Sequence, residues 1–256
     1  MLRELTLFGE VDKVKIAIER IREFEPHEGY YVAFSGGKDS VVVLDLVRQA
    51  GVKYDAHYNI TTVDPPELVQ FIKKEYPEVE RHRPEKTMWQ LIVENGMPPT
   101  RIVRYCCSHL KERGGIDRMV ITGVRWEESS KRRKRRMTEL CYNQRKRFLH
   151  PIIDWTEQEV WEYIKERNLP YCKLYDEGFE RLGCIMCPMK GTKGMERDAK
   201  RWPKFYKAYL RAFDRMLQKR KEKCKKGKGN WGKPEDVMNW WIYQPPKCNP
   251  DQIVFE

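Results

Sequence analysis

Hydrophobic residues near the N-terminus recur with the period of an amphipathic helix. Four apolar side chains follow one another every three or four positions, and this spacing predicts a helix over residues 11–24. The four side chains are Val14, Ile18, Ile21 and Phe24.

Three apolar runs further along the chain have the composition of buried strands. They cover residues 30–34, 53–60 and 119–124, and the first is rich in aromatic and β-branched side chains. Residues 38–50 follow the first run with a helical pattern. Because strands alternate with helices, the sequence predicts an α/β fold with a parallel twisted sheet and helices on both faces.

Capping residues predict the starts of two more helices. Asp64 is the expected N-cap of the first, with Pro65 at the first helical position and Glu67 three residues past the cap. Thr156 and Glu159 have the spacing of a capping box before the second.

The strand pattern ends near residue 150, and the remainder of the chain is predicted to be helical. Six side chains share one helical face and are expected to pack in a core: Trp202, Phe205, Tyr206, Tyr209, Phe213 and Met216. Residues 219–236 are charged and contain glycine, which is typical of a linker or flexible arm. We expect an α/β domain over residues 1–150 and a helical C-terminal subdomain over residues 151–256.

Charge and cysteine content narrow the class of protein. The 256 residues carry 50 lysines and arginines against 38 acidic residues, a net charge of +12. This excess favours a polyanionic partner, although heavy charging also occurs in heat-adapted proteins. With no apolar run of membrane-spanning length and no signal-peptide pattern, we expect a soluble, cytoplasmic protein without a membrane partner. Eight cysteines in that compartment indicate metal or redox chemistry rather than disulfides.

The polar hexapeptide SGGKDS, Ser35–Ser40, lies between the first predicted strand and its helix. Backbone N–H groups and the helix dipole face such a turn, so it can receive an anion. Gly36 and Gly37 remove the Cβ atoms that would block a phosphate and permit positive φ. Lys38 supplies a positive charge, and the two serines at the ends supply hydroxyl groups.

This hexapeptide is not a Walker A loop, because Val32 stands where that motif has glycine and Asp39 directly follows the lysine. It resembles the PP-loop of the N-type ATP pyrophosphatases, a superfamily with GMP synthetase, tRNA thiolation enzymes and phosphoadenosine-phosphosulfate (PAPS) reductases. The resemblance implies an adenine-nucleotide alpha-hydrolase-like fold. It also implies nucleotide binding by Ser35, Gly36, Gly37, Lys38, Asp39 and Ser40. Lys38 would then stabilise charge as pyrophosphate leaves, and Asp39 would help to hold Mg²⁺.

Four cysteines occur in two pairs. Cys106 and Cys107 are adjacent, and Cys184 and Cys187 form a Cys-x-x-Cys pair. Four thiolates suffice for one zinc ion or one iron–sulfur cluster, although adjacent cysteines are unusual zinc ligands. Four unrelated buried cysteines are the remaining alternative.

The two cysteine pairs resemble the 4Fe-4S signature of adenosine-phosphosulfate (APS) reductases and of the sulfur-activating proteins of DNA phosphorothioation. A second stretch, ITGVRWEESSKR, resembles the Gly-x-Arg-x-x-Glu-Ser-x-x-Arg pattern of the PAPS reductase family. Its matching residues are Gly123, Arg125, Glu128, Ser129 and Arg132. The resemblance spans roughly residues 28–190. It implies phosphate binding by Arg125 and Arg132, and an iron–sulfur site that the C-terminal subdomain completes.

Two features depart from the sulfonucleotide reductases. Those enzymes use the cysteine of a C-terminal Glu-Cys-Gly-Leu/Ile-His motif, which is absent here, and Cys248 lies between prolines without a neighbouring histidine. In addition, nine basic residues fall between positions 131 and 147. A nucleic-acid backbone would use so many, whereas a solvated helix face or loop is the alternative. The predicted nucleic-acid contacts are Lys131, Arg133, Lys134, Arg135 and Arg136.

The resemblance and the two departures favour an ATP-using sulfur-transfer enzyme of the phosphorothioation type. The implied cofactors are ATP, Mg²⁺ and a 4Fe-4S cluster on Cys106, Cys107, Cys184 and Cys187. The implied reaction adenylates a nucleic-acid acceptor and releases pyrophosphate, with a cysteine desulfurase as the sulfur donor. Two alternatives stay open. One is an APS or PAPS reductase that takes a sulfonucleotide and produces sulfite, and the other is a non-catalytic, nucleotide-sensing DNA-binding module.

Overall fold

The computed structural model of the chain describes residues 2–6, 9–223 and 231–243. Within these residues the chain forms two structural units that alternate along the sequence. The first unit is drawn from Met1–Ile60, Asp64–Arg83 and Arg113–Gly183, and the second from Thr61–Val63, Pro84–Glu112 and Cys184–Glu256. This interleaved division differs from the single boundary predicted at residue 150.

Helices and strands alternate through the first unit, and helices make up most of the second. The strands of the described chain are β1 Arg3–Thr6, β2 Gly9–Asp12, β3 Tyr30–Ala33, β4 Tyr54–Asn59, β5 Glu80–His82, β6 Met119–Ile121, β7 Thr138–Cys141 and β8 Lys146–Leu149. The helices are α1 Lys13–Glu23, α2 Lys38–Ala50, α3 Pro66–Glu75, α4 Met88–Asn95, α5 Tyr105–Leu110, α6 Ser130–Arg133, α7 Glu157–Glu166, α8 Gly191–Arg201, α9 Pro203–Lys223 and α10 Pro234–Ile242.

Six strands of the first unit form one sheet in the order β5-β4-β3-β6-β8-β7. Every neighbouring pair in it is parallel except β7 and β8, which run antiparallel at one edge. β1 and β2 pair separately as an antiparallel ribbon. Helix α2 packs against both α1 and α7. The predicted α/β fold with a mostly parallel sheet is confirmed, and the antiparallel edge is an addition to it.

The predicted strand, turn and helix around the hexapeptide are confirmed. β3 is buried along its length, and its Tyr30 hydroxyl donates to the carbonyl of Ile21 in α1 at 2.8 Å. Helix α2 covers residues 38–50 as predicted and ends at Gly51, which has a left-handed φ of +70°. Glycine is the usual residue at such a helix end because it lacks Cβ.

The predicted start of α3 is wrong by one residue. Helix α3 begins at Pro66, its N-cap is Pro65, and no side chain caps it. A residue that precedes proline is disfavoured in the helical region, so Pro65 stays extended, with ψ of 132°, and delays the helix. The predicted capping box of Thr156 and Glu159 is confirmed at the start of α7.

Helices form the C-terminal part of the second unit, as predicted. Tyr209 and Phe213 of α9 are fully buried, and Tyr209 packs against Trp241 of α10 and Trp89 of α4, with ring centroids 4.7 and 4.8 Å apart. The predicted linker over residues 219–236 is wrong at both ends, because α9 extends to residue 223 and α10 begins at residue 234. Residues 224–230 lie outside the described chain.

The order of the strands creates a switch point between β3 and β6. From β3 the chain proceeds to β4 and β5 on one side, and β6 and β8 lie on the other. Ser35 follows β3 and Thr122 follows β6, so both loops lie at the carboxyl ends of neighbouring parallel strands. Open α/β sheets bind ligands outside the strand ends at such a point.

Candidate functional site

Gly36 and Gly37 differ in what they demand of the backbone. Gly36 has a φ of +72°, and a Cβ there would lie 2.8 Å from side-chain atoms of α3. Gly37 has a φ of −78°. A Cβ at Gly37 would lie 3.4 Å from Ser35 Oγ and 3.5 Å from Tyr175 Oη, which are ordinary contacts. The predicted need for positive φ is confirmed at Gly36 and wrong at Gly37, where glycine leaves room beside the helix start.

The hexapeptide is held in a fixed shape by its own hydroxyl groups. Ser40 Oγ accepts from the Ser35 N–H at 3.2 Å and donates to the Gly37 carbonyl at 2.8 Å. The Lys38 N–H donates to the Tyr175 phenol oxygen at 2.8 Å. The first-turn N–H groups of α2 have no acceptors within the helix, and the helix dipole adds positive potential at the same place. This arrangement is suited to binding an anion.

Lys38 is buried, with 2% of its surface exposed. Its Nζ donates to the Glu180 carbonyl at 2.9 Å and lies 3.2 Å from Glu157 Oε1. The ring of Tyr175 lies 5.4 Å from the same ammonium. The lysine side chain is therefore packed beneath the loop with a carboxylate partner, and a bound phosphate would compete with Glu157 for its charge.

Arg125, in the loop after β6, reaches the first turn of α2. Its side chain is 3% exposed, and its Nε donates to Asp39 Oδ1 at 2.6 Å while Nη1 donates to Glu127 Oε2 at 3.0 Å. A Cβ at Gly123 would lie 2.8 Å from the Asp39 backbone carbonyl, so glycine permits the two loops to touch. Burial opposes the charge of Arg125, but Asp39 outweighs it and raises the pKa of the guanidinium. The structure thus brings predicted residues from both loops together.

Glu128 connects Arg125 to Arg132. Its Oε1 accepts from the Arg125 backbone N–H at 3.0 Å and from Arg132 Nη1, and its Oε2 lies 3.6 Å from Arg181 Nη2. The Glu128 side chain is 9% exposed. Two guanidinium groups therefore converge on one largely buried carboxylate beside Arg125. Arg181 was not found by sequence reasoning, because nothing in its local sequence distinguishes it.

A buried histidine also lies at the carboxyl edge of the sheet. His150 follows β8, is 2% exposed, and its Nδ1 lies 2.8 Å from the Thr122 hydroxyl. Its Nε2 has no hydrogen-bond partner in the described part of the chain. Burial lowers the pKa of His150 to about 4, against the opposing effect of Glu139. Neutral His150 and Thr122 were both missed by the sequence analysis.

The predicted nucleic-acid segment Lys131–Arg136 lies mostly at the surface. Of its side chains only Arg132 is half-buried, and the five proposed contact residues are exposed. Arg135 pairs with Glu139. The indole Nε1 of Trp126 donates to the Arg135 carbonyl at 2.7 Å, and Trp126 is 40% exposed. An aromatic ring therefore lies beside the basic segment, which sequence reasoning had not noted.

The basic residues of the β7–β8 hairpin have partners within the protein. Lys146 is 4% exposed, Arg145 pairs with Asp117, and Arg147 lies 3.1 Å from Glu28. These three belong to the nine basic residues counted in the sequence. The exposed positive surface is therefore narrower than that count implies.

All four paired cysteines belong to the second unit. Cys106 and Cys107 lie in the first turn of α5, and Cys184 and Cys187 bound a turn before α8. A hydrogen bond with Cys106 lowers the pKa of Cys107 to about 6 in spite of burial, helped by Arg104, whose Nη2 lies 3.2 Å from the Cys107 sulfur. Burial raises the pKa of Cys187.

The four thiols are a donor set for a metal centre. In the described chain no three of the thiol sulfurs lie within 4.8 Å of one another, while Cys106 and Cys107 share a hydrogen bond. Four thiolates suffice for one zinc ion or for one cubane cluster, which binds one thiolate at each of its four irons. Because adjacent cysteines are unusual zinc ligands, the chemistry of this donor set favours the cluster.

Two buried residues that the sequence analysis gave no role at the site anchor the Cys-x-x-Cys turn. Asp198 is fully buried, and its Oδ2 accepts from the Met186 N–H at 2.8 Å and from Lys190 Nζ at 2.5 Å. Tyr209 donates to the Ile185 carbonyl at 3.1 Å. Met186 has a φ of +57°, a conformation that costs about 1 kcal/mol for an L-residue, so these bonds offset local strain.

The two remaining cysteines of the described chain do not belong to the second unit. Cys141 and Cys172 belong to the first unit, and Cys172 is buried. Cys224 and Cys248 lie outside the described residues, so the role of Cys248 stays a prediction.

Comparison with protein families agrees with these motifs. The profile of the phosphoadenosine phosphosulfate reductase domain matches residues 29–190, which is more than half of the chain. The chain belongs to this family. The matched range contains the PP-loop, Arg125 and all four paired cysteines, so the predicted family is confirmed.

Relatives of the chain include proteins with and without a named activity. An uncharacterised protein of Methanocaldococcus jannaschii is 31% identical over 216 residues, which are 77% of this chain and 43% of that protein. The adenosine 5'-phosphosulfate reductase of Oceanobacillus iheyensis is 29% identical over 185 residues, 66% of this chain and 75% of that enzyme. The chain therefore spans less than half the length of the first of these relatives.

Among solved structures, the phosphoadenylyl-sulfate reductase of Candida auris in a phosphate complex is similar to this chain. The similarity covers 66% of this chain and 87% of the reductase chain, with 18% identity and a TM-score of 0.49.

No described helix of the present chain combines the length and apolar character that a membrane crossing requires.

Proposed function

We propose that this PAPS reductase family protein is an ATP-dependent sulfur-transfer enzyme that adenylates a nucleic-acid acceptor and releases pyrophosphate. The observation that carries the proposal is the switch point. There Gly37 places no Cβ at the start of α2, while Arg125 approaches the same helix turn from the neighbouring loop. That combination offers backbone donors and a cation to one group of phosphates.

The chemistry assigned to the first unit follows from its charges. The N–H groups of the loop and the dipole of α2 favour the pyrophosphate of ATP. Lys38 and Arg125 are both buried beside it, where charge interactions are stronger than in water. Asp39, whose side chain is 24% exposed, supplies a carboxylate oxygen for Mg²⁺. Serines 35 and 40 hold the loop in shape.

The proposed step conserves atoms and charge. An acceptor oxygen attacks the α-phosphorus of ATP, the bond to the β,γ-pyrophosphate breaks, and Lys38 stabilises the leaving negative charge. The adenylated acceptor then carries AMP as a leaving group. The outer sulfur of a desulfurase persulfide then attacks the adenylated atom and displaces AMP. A thiol reductant supplies the two electrons that cleave the resulting sulfur–sulfur bond, so that sulfur takes the place of oxygen on the acceptor.

The second unit supports an iron–sulfur centre for this chemistry. Cys106, Cys107, Cys184 and Cys187 would hold the 4Fe-4S cluster, since all four belong to this unit and four thiolates are the ligand set of such a cluster. When bound, such a cluster supplies iron at which sulfur is carried. The chain's own contribution is the anchored turn: Asp198 fixes the backbone between the last two cysteines.

The basic segment supports nucleic acid as the acceptor. Lys131, Arg133, Lys134, Arg135 and Arg136 are exposed, and phosphate neutralisation by such residues drives salt-sensitive binding. Trp126 adds an exposed aromatic face that can stack on a base. The segment follows directly on the Arg125–Arg132 stretch, so a polyanion on the basic surface would extend toward the nucleotide loop.

Transfer of labelled sulfur tests this function. The protein is prepared without oxygen and incubated with ATP, Mg²⁺, duplex DNA, a cysteine desulfurase and ³⁵S-cysteine. We expect ³⁵S to enter the DNA backbone only when ATP is present. The same mixture with RNA in place of DNA shows which nucleic acid is the acceptor. The proposal is contradicted if neither nucleic acid gains label and the amount of free ³⁵S-sulfide is the same with and without ATP.

The second candidate is a sulfonucleotide reductase that produces sulfite. It is favoured by the relatives named adenosine 5'-phosphosulfate reductase. It requires a nucleophilic cysteine, and the family's Glu-Cys-Gly-Leu/Ile-His motif is absent from the sequence. If the protein binds ATP but does not turn it over, that result would favour a non-catalytic nucleotide-sensing module.

A further inference from the structure

We propose a second metal site, for a divalent first-row ion of the zinc class, on His57, Glu80 and His82 of the first unit. These side chains lie on the neighbouring parallel strands β4 and β5. The strand register pairs His57 with Glu80 and Asn59 with His82. Because side chains alternate along a strand, His57, Glu80 and His82 share one face of the sheet.

The three ligand atoms converge on a small volume. His57 Nδ1 lies 2.8 Å from His82 Nε2 and 3.4 Å from Glu80 Oε2, and His82 Nε2 lies 3.5 Å from the same carboxylate oxygen. A tetrahedral zinc ion with bonds of about 2.0–2.1 Å sets its ligand atoms about 3.3 Å apart. The two contacts to Glu80 match this separation, and the two nitrogens need to part by only about half an ångström.

A neighbouring carboxylate selects the form of His57 that a metal requires. Asp55 Oδ2 contacts His57 Nε2, so Nε2 carries the hydrogen and the lone pair of Nδ1 points toward Glu80 and His82. Asp55 is held in turn by Arg118, whose Nη1 donates to Oδ2 at 2.6 Å. A carboxylate that orients a ligating imidazole through its other nitrogen is a recurrent support for metal sites.

The three ligands differ in burial: His57 is buried, and the two ligands on β5 are more exposed. His57 is 8% exposed and stacks on Tyr31 at 4.1 Å between ring centroids. The side chains of His82 and Glu80 are 41% and 64% exposed. An ion can therefore enter from solvent, and the outer ligands leave a position for water. Two imidazoles and a carboxylate suit zinc and similar ions rather than Mg²⁺ or Ca²⁺.

The site has a structural consequence that is independent of the proposed sulfur transfer. β5 is an edge strand of three residues and pairs only with β4 in the described sheet. Two of the three ligands are on β5 and the third is on β4. A bound ion would fasten this short strand to the sheet.

Zinc titration of protein reconstituted with iron tests the site, because iron on the proposed cysteine ligands would keep zinc from them. After equilibrium dialysis against zinc, we expect about one zinc per chain in the wild type, measured by mass spectrometry of the elements. His82→Ala should lose at least tenfold in affinity, and Asp55→Asn about 10–100-fold. His27→Ala, a change at an exposed histidine, should bind like the wild type.

Melting temperature and cobalt absorption are two further readouts that distinguish this site from the cysteine ligands. Melting in EDTA gives the reference Tm of the wild type and of His82→Ala, and added zinc should raise the Tm above that reference in the wild type alone. Cobalt bound at this site should show d–d absorption without a thiolate charge-transfer band. Equal zinc binding by the wild type and His82→Ala, no zinc in either, or a thiolate band from all the cobalt would overturn the proposal.

Discussion

Arg125 Nε donates to Asp39 Oδ1 at 2.6 Å, and this partly buried ion pair joins the loop after β6 to the first turn of α2. Lysine has a single donor group, so it cannot serve Asp39, Glu127 and the Trp155 carbonyl together as Arg125 does. We expect Arg125→Lys to lose about 2 kcal/mol of stability, and at least tenfold in pyrophosphate release.

Urea unfolding and a pyrophosphate assay check this prediction. Arg133→Lys is the matched control, because Arg133 is exposed and near in sequence, and it should match the wild type in both measurements. Wild-type turnover by Arg125→Lys would mean that the Asp39 ion pair is not part of the site.

The two glycines of the hexapeptide should respond differently to alanine. At Gly36 the positive φ and the contact with α3 both oppose a Cβ, so Gly36→Ala should lose at least about 2 kcal/mol of stability. At Gly37 a Cβ has ordinary contacts, so Gly37→Ala should unfold like the wild type but bind ATP at least tenfold more weakly. Calorimetric titration with ATP decides, and unchanged affinity of Gly37→Ala would show that no phosphate approaches that Cα.

The four paired cysteines should hold iron. Protein prepared without oxygen should be brown and contain about four irons per chain, the content of one cubane cluster. Cys107→Ser and Cys184→Ser should each lose that iron, whereas Cys141→Ser, in the first unit, should keep it. Iron counting with absorption spectroscopy measures this, and stoichiometric zinc without iron in the wild type would contradict the cluster.

The basic segment should set the salt dependence of nucleic-acid binding. Neutralising Arg133, Lys134 and Arg136 should weaken DNA or RNA binding and reduce the log–log salt slope by about 0.7–0.9 for each phosphate that the variant no longer neutralises. Neutralising Lys73 and Lys74 on α3 is the control for a general loss of charge. Filter binding across a salt series measures the slope, and an equal slope for the wild type and the segment variant would mean that the segment is only a solvated surface.

His150 should make stability depend on pH in a defined window. Burial lowers its folded-state pKa to about 4, below the ordinary value of about 6.5. Below pH 6.5 the unfolded chain therefore binds a proton at His150 that the folded chain does not. The contribution of His150 to the free energy of unfolding is fully present above this pH and is lost as the pH falls toward 4. The loss approaches about 3 kcal/mol.

Urea midpoints between pH 4 and 7 test this effect of His150. His150→Gln removes the titration and should flatten the curve relative to the wild type, while His27→Ala should leave it unchanged. A wild-type curve that coincides with that of His150→Gln would show that His150 gains its proton equally in both states.

Local sequence predicted the elements whose signals are local. The run from Tyr30 to Ala50 combines a buried strand, two glycines and a helical pattern, and β3 and α2 follow it closely. The cysteine pairs were also visible in the sequence, because their spacing marks candidate ligands without knowledge of the fold, and their binding of iron stays a prediction. The short strands β5, β7 and β8 were not predicted, since three or four residues with charged side chains carry no clear period.

Contacts between distant parts of the chain could not be predicted. Tyr175 meets the Lys38 N–H across 137 positions, and Glu180 accepts from the Lys38 ammonium across 142. The sequence of α8 around Asp198 gives no indication that this side chain binds the turn between Cys184 and Cys187. The difference between Gly36 and Gly37 also depends on tertiary packing. Side chains of α3 would clash with a Cβ at Gly36, whereas a Cβ at Gly37 would have ordinary contacts.

Product analysis on one sample tests the central claim most directly. Iron-loaded protein prepared without oxygen is divided and given either ATP with Mg²⁺, nucleic acid and a sulfur donor, or APS or PAPS with thioredoxin. We expect pyrophosphate and AMP in the first portion and no sulfite in the second. Sulfite from a sulfonucleotide, with no pyrophosphate from ATP, would contradict it and establish the reductase.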